Sequence, residues 1–132
     1  VWSRIAFWSL ATVLLGIFSM ARAESGWNMF RGNLQRTGYY GRPIGIPKSQ
    51  PRWVDSLGCA FVSSPSVVDG TLYIGGRDSC LYAIDCRSGE IKWKKRTEGW
   101  VDSSPHVQKR TVLVGSRDGY LYEMDGDDGS VV

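Results

Sequence analysis

The feature that most constrains this chain is a forty-residue internal period. Val62 to Lys92 lies over Asp102 to Val132 without a gap. Twelve positions are identical: Ser63/Ser103, Ser64/Ser104, Pro65/Pro105, Val67/Val107, Thr71/Thr111, Gly75/Gly115, Arg77/Arg117, Asp78/Asp118, Leu81/Leu121, Tyr82/Tyr122, Asp85/Asp125 and Gly89/Gly129. Leu72/Val112, Ile74/Val114 and Ile91/Val131 are conservative exchanges, and Trp53 stands forty residues before Trp93. Agreement of this kind marks duplication of one structural unit. A unit that cannot cover its own apolar surface must stack on its copies.

The punctuation of the unit gives its strands. Ser66 to Val68, an Asp69-Gly70 turn and Thr71 to Gly75 read as a hairpin, because Asp-Gly favours the positive φ of primed turns. Arg77 to Ser79 separates that hairpin from a third strand, Cys80 to Asp85. Arg87 to Gly89 then leads into a fourth, Glu90 to Lys94. The period thus holds four short antiparallel strands and no helix. Leu72 and Ile74 share one face, as do Leu81 and Ala83, while Tyr73 and Tyr82 take the opposite faces of their own strands. Large apolar groups on both faces require a cover on each side. A four-stranded sheet stacked between copies of itself is the blade of a β-propeller. Sandwiches and barrels also use short strands, but they need no ungapped period of about 40–45 residues. The 16 glycines among 132 residues exceed the usual share of about 7%, and those of the repeat sit mainly at its recurring turns.

The N-terminus reads differently. Arg4 precedes sixteen uncharged residues, Ile5 to Met20, and Ala21-Arg22-Ala23 follows. A basic start, an apolar stretch and a small-x-small triplet are the parts of a secretory signal peptide, so residues 1–23 are expected to be cleaved before Glu24. A spanning helix needs about 20 apolar residues, which makes an anchor the weaker reading. The expected destination is the periplasm or the exterior of a bacterial cell, with membrane contact only through the leader. No Cys sits at the cleavage point to accept a lipid. Net charge is +3 and falls to +1 without Arg4 and Arg22, which excludes an electrostatic case for nucleic acid.

The line from Ser63 to Trp93, SSPSVVDGTLYIGGRDSCLYAIDCRSGEIKW, resembles the repeat of pyrroloquinoline-quinone-type (PQQ-like) propellers. Trp27 to Gly38, WNMFRGNLQRTG, resembles the lead-in of exported members, and Pro51 to Val54 resembles the last strand of a preceding blade. The expected organisation is a leader (1–23), an extended lead-in (24–50) and a partial propeller (51–132), with repeats at about 62–94 and 102–132. The resemblance implies a ring of seven or eight blades, of which these residues supply about two, so the chain is expected to be an N-terminal piece. It implies two functions. One is a non-catalytic scaffold with protein partners, similar to the scaffold lipoprotein of outer-membrane barrel assembly. The alternative is a PQQ-dependent alcohol or sugar dehydrogenase. There the cofactor lies between a Trp and a disulfide of adjacent cysteines, beside a calcium ion held by acidic and amide groups.

No catalytic or metal constellation stands out beside these implied roles, and no cofactor site is evident. Cys59, Cys80 and Cys86 are never adjacent. Six residues of extended strand separate Cys80 from Cys86 by about 20 Å, too far for a bridge. Cys59 with either one stays open, and buried fillers are the expected role. Asp125 to Gly129 breaks the EF-hand pattern and reads as a turn. Arg77-Asp78 and Arg117-Asp118 recur in register, which suggests a structural role: the Asp accepts turn N–H groups and the Arg pairs locally. His106, the only His, has no ligand-spaced neighbour. Lys92, Lys94, Lys95 and Arg96 read as a solvated strand end. Trp53 and Trp93 read as packing between neighbouring units.

Overall fold

The computed structural model describes Phe30 and residues 50–132. The expected leader, residues 1–23, and all but two residues of the expected lead-in lie outside the described residues. Strands β1 (Ser66–Val68), β2 (Thr71–Gly76), β3 (Cys80–Asp85) and β4 (Ile91–Arg96) form one antiparallel sheet in chain order. Strands β5 (His106–Gln108), β6 (Thr111–Gly115) and β7 (Leu121–Asp125) form a second. A bridge between Met124 and Val131 begins its fourth strand. The strands fall where the repeat puts them, and no helix among the described residues is long and apolar enough to cross a membrane.

Local chemistry explains the turns. Asp69 (φ 47°) and Gly70 (φ 77°) both take the left-handed conformation, so the β1–β2 hairpin closes on two residues as Asp-Gly favours. Asp85 Oδ1 accepts the amides of Arg87 (2.8 Å) and Ser88 (3.0 Å), and Asp125 Oδ1 accepts that of Asp127 (2.8 Å). These side chains hold the turns after β3 and β7, as Asx turns do.

Register assigns each side chain to a face. Tyr73 lies opposite Ala83, which lies opposite Trp93, while Ile74 lies opposite Tyr82. Tyr73, Leu81, Ala83 and Trp93 therefore form one face, and the second sheet covers it with Val112, Val114 and Met124. Leu81 is 0% exposed under that cover, whereas Leu121, its counterpart on the second sheet, is 73% exposed. Stacking, not the sheet itself, buries this position. On the other face Cys80, Tyr82 and Ile84 pack with Leu72 and Ile74, under Trp53, Leu57 and Cys59.

Two tryptophans dock identically, one period apart. Trp53 Nε1 donates to the Cys86 carbonyl (3.0 Å), and Trp93 Nε1 donates to that of Gly126 (2.9 Å). Each ring also lies on a turn glycine. A Cβ on Gly89 would stand 2.8 Å from Trp53, and one on Gly129 would stand 2.7 Å from Trp93. Pro51 to Val54 itself forms no strand. A last strand needs the other strands of its own blade, and the described residues do not supply them. Trp53 still occupies the position that the period assigns to it.

Candidate functional site

The β2–β3 turn, the β6–β7 turn and the connection from β4 to β5 meet at one end of the two sheets. Gly99 lies against the Arg117–Asp118 backbone, where a Cβ would stand 2.4 Å from the Asp118 nitrogen. Arg117 N donates to the Trp100 carbonyl (2.9 Å), and Val101 N donates to that of Gly76 (3.1 Å). The connection is thereby fixed to both turns. Its Trp100 ring, 44% exposed, is in contact with two guanidinium groups, Arg77 at 5.0 Å and Arg117 at 5.3 Å from the ring centroid. Asp102 ties the two arginines together. Its carboxylate accepts Arg77 Nε (3.1 Å) and Arg77 Nη2 (3.4 Å), and meets Arg117 Nε at 2.9 Å. The Arg77 hydrogen bonds, with the charge of both guanidinium groups, hold the Asp102 carboxyl below the ordinary carboxylate range. An exposed aromatic ring is thus fixed against two cations, and the two arginines with Asp102 carry one excess positive charge.

Behind this ledge the repeated aspartates part ways: Asp118 accepts backbone amides as expected, whereas Asp78 takes only side-chain donors and leaves its buried Oδ1 without a partner among the described residues. Asp118 accepts the amides of Tyr120 (3.0 Å) and Glu98 (3.0 Å) and the Tyr122 hydroxyl (2.9 Å). Asp78 accepts the Tyr82 hydroxyl (2.5 Å) and the Lys94 ammonium (3.1 Å). Burial opposes ionisation of Asp78, yet these two donors outweigh it and lower its pKa. Burial and then the bond to Asp78 push the Tyr82 phenol up to about 12. The arginines differ from the sequence expectation. They pair not within their own turns but across the repeats, through Asp102, because the β4–β5 connection brings that carboxylate between them.

The other sequence candidates do not assemble into a site. Lys92 donates to Thr71 Oγ1 (2.6 Å), while Lys94 and Lys95 point to opposite faces of β4, opposite Tyr82 and Leu81. His106 lies half-buried on β5. Cys59, Cys80 and Cys86 are free thiols. Among the described residues no three His, Cys, Asp or Glu side chains stand together as a metal site. A quinone bound against an adjacent-cysteine disulfide beside calcium therefore does not fit the described residues. The sequence reading missed Trp100 and Asp102. Their counterparts one period earlier are Ala60 and Val62, so the repeat carried no signal for them.

Comparison with known proteins agrees with the architecture. Over 82% of its length the chain superposes on the quinohemoprotein alcohol dehydrogenase of Comamonas testosteroni, with TM-score 0.72 and 25% identity. It superposes on BamB of Moraxella catarrhalis over 72% of its length, with TM-score 0.56 and 22% identity. A europium-containing methanol dehydrogenase matches over 81%, with TM-score 0.68 and 20% identity. The chain spans 19%, 27% and 22% of the lengths of these three proteins. No curated protein sequence matches it. Residues 24–132 match the family described as outer membrane protein assembly factor BamB. With its two stacked sheets and its docked tryptophans, the chain belongs to this family of PQQ-like repeat β-propellers.

Proposed function

We propose that the chain is part of an exported, non-catalytic propeller that binds protein partners, a scaffold of the kind named by its family. The Arg77–Trp100–Arg117 ledge carries this reading. Trp and Arg are enriched among the residues that dominate protein interfaces, and a ring held in place loses little freedom on binding. The leader supports export. The full-length protein with a photo-crosslinking residue in place of exposed Glu98, beside the intact ledge, tests the reading in cells. One defined partner should be captured there but not from position 109, and the capture should be lost in Arg117→Ala. Equal capture from both positions would refute it. N-terminal sequencing of the exported protein should find Glu24 first; a start well before Glu24 refutes cleavage.

The similarity to the Comamonas enzyme favours a second reading. In it the whole protein is a quinone-dependent dehydrogenase whose cofactor residues belong to other blades. Dye-linked alcohol oxidation by the full-length protein, dependent on added PQQ and calcium, would establish this second reading and overturn the first.

A further inference from the structure

We propose that oxidation joins Cys59 and Cys80, both free thiols in the structure, in a disulfide that fastens the segment ahead of the first sheet onto the face it covers. Cys80 opens β3 directly opposite Gly76 on β2. Cys59 Sγ would stand 2.9 Å from a Cβ built on that same Gly76. Side chains at directly opposed positions have Cβ atoms about 4.5–5.5 Å apart, so the Cys59 sulfur lies beside the position that neighbours the Cys80 side chain across the β2–β3 pair. The Ala60 carbonyl accepts the Arg77 amide (3.0 Å), which sets the Cys59 backbone beside the end of β2. Cys59 and Cys80 also pack in one apolar cluster.

This placement resolves the choice that the sequence leaves open. Cys86 lies beyond the far end of β3, about 20 Å along the strand from Cys80. Its carbonyl is held by Trp53, while Cys59 Sγ is at the Gly76 end. The repeat adds an independent observation. One period later, Gly99 and Tyr120 stand at the positions of Cys59 and Cys80, so the second interface lacks both cysteines. That second interface has Trp100, Asp102 and two arginines at this end, whereas the first has Ala60 and Val62.

The chemistry needs an oxidant with a disulfide bond, such as glutathione disulfide. Cys59, the more accessible thiol, loses its proton and attacks one sulfur of the oxidant, which expels one thiolate. Cys80 then loses its proton and attacks Cys59 Sγ of the mixed disulfide, expelling the second. The two protein thiols give up two electrons and two protons, and the oxidant becomes two thiols.

The test uses the purified full-length protein, reduced and then incubated with glutathione disulfide, so its outcome does not depend on export or on scaffolding. Free thiols are blocked with N-ethylmaleimide in denaturant, and peptides are identified by mass spectrometry. The expected product is one cross-linked peptide joining Cys59 to Cys80, with Cys86 alkylated or glutathionylated. Dithiothreitol should lower the unfolding midpoint of the wild type and of Cys86→Ser, and should leave those of Cys59→Ser and Cys80→Ser unchanged. Alkylation of both Cys59 and Cys80 after oxidation, or a bridge that includes Cys86, overturns the proposal.

Discussion

Replacing Gly129 by Ala should separate the cost of a turn conformation from the cost of losing a tryptophan dock. Gly129 has φ +72°, and its added Cβ would stand 2.7 Å from Trp93 Cε3. The left-handed conformation costs an L-residue about 1–2 kcal/mol. The contact adds a second cost, because Trp93 is buried on one side by Tyr73 at 5.9 Å and must lift from the turn to relieve it. Lifting weakens the bond from Nε1 to the Gly126 carbonyl, worth about 1 kcal/mol, and part of the packing. Full truncation of such a ring costs about 3–5 kcal/mol, so losing a fraction of it brings Gly129→Ala to about 3–4 kcal/mol in all. Gly119 is the control. Its φ of +92° carries the same conformational strain, but an added Cβ meets nothing within 4 Å, so Gly119→Ala should cost only about 1–2 kcal/mol. Urea unfolding of the full-length variants reads both values. In a Trp93→Ala background the extra cost of Gly129→Ala should vanish, which a double-mutant cycle measures directly. Equal losses for the two glycines, or no coupling to Trp93, would falsify the docking argument.

The Asp78–Tyr82 pair predicts an alkaline transition. The folded pKa of Tyr82, about 12, lies above its ordinary value of 10, so the pair's stabilisation is complete below pH 10. It is lost as pH rises from 10 to about 12, and Tyr82→Phe should abolish that dependence while costing about 1.5–3 kcal/mol at neutral pH. Asp102 predicts the acidic counterpart. Its folded pKa is depressed, so the contribution is present above the ordinary carboxylate value and lost as pH falls through the folded one. Asp102→Asn should flatten that acid limb in pH-dependent unfolding. Trp100→Ala should leave the unfolding midpoint nearly unchanged, since the ring is half exposed, yet remove capture at the ledge. A large loss of stability would assign the ring to packing instead.

The period alone carried most of the fold, because each strand and turn is written twice. Asp69-Gly70 declared its hairpin, and the spacing of Trp53 and Trp93 declared their packing role. What distinguishes the two interfaces was harder to read. Trp100 and Asp102 lie in the connection between repeats, where Ala60 and Val62 stand in the other copy. Their partners, Arg77 and Arg117, are 25 and 15 residues away from Asp102. Such pairing depends on how the connection crosses two turns, which no local pattern encodes. The proximity of Cys59 to Cys80 was hidden for the same reason. It is set by where a segment without strand structure lies on the sheet.

The backbone of Gly126 has a consequence for how the two sheets come apart. Its carbonyl receives both Trp93 Nε1 (2.9 Å) and Tyr73 Oη (3.1 Å) from the first sheet, and its amide donates to the Arg110 carbonyl (2.6 Å) within the second. Exposing that amide to solvent requires the β5–β6 and β7 turns to part. The residue freed when they part is the one whose carbonyl anchors two aromatic side chains of the first sheet. Hydrogen exchange at Gly126 therefore reports opening of the second sheet at the residue on which the first sheet is docked. Repeat architectures depend on such nearest-neighbour coupling for cooperativity, and here two bonds across the interface and one within the second sheet meet at a single residue.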